Sequence, residues 1–98
     1  MWQSDEQACK TIRAMLKSAR LDRMWTDEGP TEEAVDLLEA RGGPLSHGEA
    51  VMLRAAFALW NGKGDLTLDE LLTTLDPENM RAVLRAVLVL RHDVGKVG

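Results

Sequence analysis

The fold turns on the stretch from Ser46 to Leu75, SHGEAVMLRAAFALWNGKGDLTLDELLTTL. Ser46 and Glu49 have the spacing of a capping box, in which hydroxyl and carboxylate each satisfy a free backbone N–H at a helix start. Between Ala50 and Trp60 only Arg54 is charged, and a helix that is apolar almost all round belongs in the core. Asn61-Gly62 ends this helix, with Gly64 following in the turn. Thr67 and Glu70 form a second capping box, opening a short helix on which Leu68, Leu71, Leu72 and Leu75 share one stripe. The stretch therefore predicts a helix over 47–60, a tight turn, and a helix over 68–75.

The same signals divide the rest of the chain. Ser4 followed by Gln7 suggests a capping box for a helix over 5–23. Ala8, Ile12, Met15, Leu16 and Ala19 gather on one face of it, and Lys10, Arg13, Lys17 and Arg20 on the other. The segment from Trp25 to Pro30 reads as a loop, broken by Gly29 and Pro30. Thr31 caps a helix over 32–41, with Glu32 and Glu33 where the helix dipole favours anions. Gly42, Gly43 and Pro44 stop it. Asp76-Pro77 opens a last helix over 77–91, proline taking the first position, where no N–H is needed. Met80, Val83, Leu84, Val87, Leu88 and Leu90 are its expected buried face. The tail 92–98 shows no clear period and is expected to fray. Sustained apolar–polar alternation is missing, so no sheet is expected. The fold class is all-α, a compact single-domain bundle of about five helices.

Composition narrows the setting. At 98 residues the chain is one domain, with 45% apolar residues for a core and 29% charged residues for a wet surface. The longest apolar run, Ala55 to Trp60, is far short of the ~20 residues that span a bilayer, so no membrane association is expected. No basic start followed by an apolar stretch suggests a signal peptide. Cys9 is the one cysteine, which excludes an internal disulfide and points to a reducing, cytoplasmic setting. The net charge of −4 gives no overall attraction to phosphate backbones.

Two local resemblances bear on function. Phe57 to Asn61, followed by Gly62, Gly64 and Asp65, looks like the start of an EF-hand, with Asp65, Thr67 and Asp69 at loop positions 5, 7 and 9. Yet Lys63 puts an ammonium at position 3, Leu66 replaces the turn glycine, and Leu72 replaces the bidentate glutamate. Calcium binding is not expected. Residues 46–91 also resemble the three-helix core of winged-helix and helix-turn-helix proteins, through the glycine turn and the run Leu66-Thr67-Leu68-Asp69-Glu70-Leu71. The resemblance implies a recognition role for helix 77–91, with Asn79, Arg81 and Arg85 offered to base edges and phosphates. Against it, Glu78 would lie near phosphate, and the tail is too short for a two-stranded wing.

Charge is segregated along the chain. Lys10, Arg13, Lys17, Arg20 and Arg23 crowd the first helix, while 27–39 hold six acids and no base. Either the two sets face each other, at ~0.2–1 kcal/mol per exposed pair, or the acids meet a basic partner and steer association. Trp25, Asp27, Glu28, Glu32, Asp36 and Glu39 are the candidate partner-binding residues, with Trp25 as anchor if exposed. Trp2 and Trp25 flank the first helix, where either can simply cover an end of the bundle, and Trp60 is expected in the core.

Catalytic groupings are scarce. His47-Gly48-Glu49 has the spacing of zinc deaminases without the paired cysteines of that site. Cys9, beside Lys10 and Arg13, fits the edge of a buried stripe, and His92 suits a helix C-terminus. No enzyme activity, cofactor or metal site is expected. The sequence points to a protein–protein interaction module, an adaptor or a regulator or inhibitor of a larger partner. The alternative is a DNA-binding regulator using helix 77–91, and homodimerisation stays open.

Overall fold

The computed structural model describes residues 5–41, 43–62 and 64–97. Trp2, the expected cap at Ser4, Gly42, Lys63 and the side chain of His92 lie outside what is described. Five α-helices run in order among the described residues: α1 (Asp5–Lys17), α2 (Glu32–Glu39), α3 (His47–Asn61), α4 (Leu68–Thr74) and α5 (Pro77–Val97). The all-α expectation holds, with α3 at the centre, packed against the other four helices.

The expected caps form. Ser46 Oγ accepts from the Glu49 N–H while Glu49 Oε1 accepts from the Ser46 N–H, at 3.2 and 2.9 Å. Thr67 and Glu70 repeat the arrangement. Thr31 caps α2 through the Ala34 N–H, and Asp76 caps α5 through the Asn79 N–H. Gly62, at φ +77°, closes α3 in the left-handed conformation that glycine adopts without a Cβ clash.

Four expectations need correction. The first helix stops at Lys17 rather than continuing to 23. Arg20 takes φ +61°, the Leu21 N–H donates back to Leu16 O and the Arg20 N–H to Lys17 O. This is a Schellman closure with arginine where glycine is usual, and Leu16 and Leu21 are both buried beneath it. A 3₁₀ turn, Asp22–Met24, follows.

The expected loop is a miniature hairpin in which β1 (Trp25–Thr26) pairs antiparallel with β2 (Gly29–Pro30). Thr26 Oγ1 accepts from the Glu28 N–H and donates to Gly29 O, holding the turn. Two-residue strands show no alternation, so the sequence could not announce them. At the other end, α5 runs on to Val97 through the tail expected to fray. Extending an established helix is far easier than starting one.

The fourth correction concerns which faces are buried. In α1 the expected stripe is inside, with Ala8, Ile12, Met15 and Leu16 buried. In α5 it is not. Val83, Ala86 and Leu90 are buried, while Leu84 is 54% and Leu88 67% exposed, and Val87 is also exposed. Leu84 and Leu88 lie at i, i+3, i+4, i+7 spacing with Arg81 and Arg85, so burying that face would drag both guanidiniums toward the core. Turning Val83, Ala86 and Leu90 inward leaves the charges in water. The α4 stripe splits similarly. Leu71 and Leu75 pack on the core, whereas Leu68 and Leu72 are 70% and 64% exposed.

Candidate interaction surface

The acidic segment loses its proposed anchor. Trp25 is only 2% exposed, stacked edge-on against Phe57 (centroids 5.2 Å apart) and Trp60 (6.0 Å). Its Nε1–H has no hydrogen-bond partner among the described residues, and Gly29 sits against the Trp60 ring. Trp25 therefore belongs to the core beneath the hairpin and is not available to a partner. Asp27 is engaged by Arg13, with Nη1 and Oδ1 2.8 Å apart. Glu28 stands at the hairpin tip, and Glu32, Asp36 and Glu39 are exposed along α2.

Arg13–Asp27 is the only ion pair between the basic and acidic segments among the described residues. Lys10 pairs within α1, with Glu6 at 3.3 Å. The basic stripe of α1 instead borders α5, the helix with which α1 makes its most extensive contact. Between them runs a groove of about 330 Å³, floored by Ala14, Met15, Ala82, Ala86 and Val89, with Lys10 and Arg85 among its lining residues. It continues into a second depression lined by Lys17, Arg81, Arg85 and one acid, Glu78. Among the described residues Lys17, Arg81 and Arg85 make no ion pair.

The nucleic-acid candidates separate. Arg81 and Arg85 are exposed, but Asn79 is half-buried and its Oδ1 accepts from the Ser18 hydroxyl at 2.6 Å. That hydrogen bond ties the start of α5 to the end of α1, so Asn79 is a structural clasp and is not presented to a base edge.

The charged group in α3 has a structural task too. Arg54 donates to both Glu70 oxygens, at 2.7 and 3.1 Å, and to Gly64 O and Asp65 O. Its bond to Glu70, followed by the Thr67 N–H, holds the Glu70 carboxyl below the ordinary carboxylate range. Ser46 does the same for Glu49 through its backbone N–H and hydroxyl. Gly64 sits so close to α3 that a Cβ would collide with Arg54 O and reach 2.9 Å from Ala58 N. The segment offered to calcium by partial resemblance is thus occupied by Arg54.

Sequence reasoning missed the convergence of Lys10 and Lys17 with Arg81 and Arg85, and the exposure of Leu84 and Leu88. A surplus of apolar residues around α5, more than one face can bury, was the available signal. Among the described residues no cluster of His, Cys, Asp or Glu converges to hold a metal ion, and no helix is long and apolar enough to cross a membrane. No family model, curated protein or solved structure matches this chain.

Proposed function

We propose that this chain is a cytoplasmic protein–protein interaction module that docks through the outer face of α5. The observation that carries the reading is the exposure of Leu84 and Leu88, two large side chains one helical turn apart. Leaving them in water forgoes on the order of 1.5–3 kcal/mol of burial each, which a partner surface recovers. Leu68 and Leu72 on α4 are further exposed apolar surface. No catalytic step is assigned to the module.

The competing reading, a nucleic-acid-binding regulator, is favoured by the four cations along α1 and α5. It is disfavoured by the engagement of Asn79 with Ser18 and by leucines in the middle of the presented face.

Affinity capture from the native host with the wild-type chain and a Leu84→Ser/Leu88→Ser variant tests the module. A partner retained by the wild type and lost by an equally stable variant is expected. Identical recoveries from the two would refute docking through α5.

A further inference from the structure

We infer that the outer face of α5, where Leu84 and Leu88 stand among Arg81 and Arg85, binds an acidic amphipathic helix of a partner protein. The inference rests on the reading of α5 as a docking face and names what lies there.

Two properties select the occupant. The outer face of α5 carries Leu84 and Leu88 interleaved with Arg81 and Arg85, and the groove toward α1 lies on the far side of that arginine row. A partner must therefore bring an apolar stripe, and an amphipathic helix supplies one at i, i+3, i+4, i+7 spacing. Arg81 and Arg85 lie on this face and Lys10 and Lys17 of α1 stand across the groove from them, against Glu78 and the Lys10-paired Glu6. This is a basic strip on a chain of net charge −4. Carboxylates flanking the partner's stripe would meet it with complementary potential.

Two other occupants fit less well. A nucleic-acid backbone would cover Leu84 and Leu88 with phosphates and sugars, leave their apolar surface uncompensated, and meet the net negative charge of the rest of the chain. A second copy pairing α5 with α5 would set Arg81 and Arg85 against the same arginines, and its exposed acids lie instead on α2. The apolar side chains of that helix, Ala34, Val35, Leu37 and Leu38, are already committed to their own core. The fully exposed residues of α2 are carboxylates, so α2 cannot cover Leu84 and Leu88.

The test uses the whole chain and an end-labelled synthetic helix bearing a leucine stripe flanked by glutamates, followed by fluorescence anisotropy. Its controls are a permuted peptide of the same composition, a helix with lysines in place of the glutamates, and a labelled DNA duplex. The glutamate helix is expected to bind and to weaken as salt is raised, while the permuted peptide does not bind. Arg81→Glu/Arg85→Glu should weaken binding about tenfold, and Lys17→Glu on the opposite wall should weaken it less. Leu84→Ser/Leu88→Ser should abolish it, with unaltered thermal melts showing that each variant is folded.

Tighter binding of the lysine helix, lost in the leucine variant, would overturn the acidic occupant and leave the docking face standing. Binding of neither helix would remove both the occupant and the face. Tighter binding of the duplex, lost in Arg81→Glu/Arg85→Glu, would replace both with a nucleic-acid site. Wild-type dimerisation in sedimentation, lost in the leucine variant, would replace the partner helix with a second copy.

Discussion

α3 and α5 carry comparable runs of apolar residues and put them to opposite use. Val51, Met52, Leu53, Ala55, Ala56 and Phe57 of α3 are all buried, whereas Leu84, Val87, Leu88 and Val89 of α5 stand in water. The difference lies in the neighbours. α3 is flanked by α1, α2, α4 and α5, while α5 packs chiefly on α1 and α3. A helix buries as many faces as its neighbours cover, and leucine content alone does not say which face that will be.

Substitutions can break this contrast, and the largest effects belong around α3. Trp25→Ala removes the indole wedged against Phe57 and Trp60 and should cost about 4 kcal/mol in urea unfolding. A cost below about 1 kcal/mol would show that the hairpin does not close the α3 core. Gly64→Ala should cost about 3 kcal/mol, because the new methyl group strikes the α3 backbone and no side-chain rotation relieves it. Arg54→Ala strips Glu70, Gly64 O and Asp65 O of their shared donor, and should lower stability by about 2 kcal/mol.

The acid limb sharpens the same picture. Glu49 and Glu70 titrate below their ordinary 4.5 in the folded chain. The stability they contribute is therefore complete above the unfolded value and is lost as pH falls through the folded ones. Melting temperature should hold above pH 4.5 and decline below it, and Glu70→Gln should make that decline shallower. The smallest effects fall on α5. Leu84→Ala and Leu88→Ala should each change stability by less than about 0.5 kcal/mol. A larger loss in either would place that leucine inside.

What was legible in the sequence was local. Each cap places donor and acceptor within a few residues, so Ser46–Glu49, Thr67–Glu70, Thr31 and Asp76–Pro77 announced their helices correctly. The end of α1 was not legible, because Arg20 enters the left-handed region where the usual sign is glycine. Nor was the orientation of α5, which depends on α1 lying beside it and on the cost of burying Arg81 and Arg85. The candidate surface combines residues from both ends of the chain, and no spacing rule joins Lys10 and Lys17 to Arg85. The sequence leaves Trp25 between covering the bundle and anchoring a partner for a related reason: its burial is created by the hairpin it helps to form.

Cys9, with no exposed surface, gives the molecule a built-in clock. A thiol reagent reaches its sulfur only when α1 lifts from the core or the whole chain opens. The labelling rate in native buffer therefore measures how often α1 detaches, without denaturant. Because α5 rests on α1, the same rate should slow when a ligand clamps the two helices together. Occupancy of the groove would thus be legible at an atom it never touches.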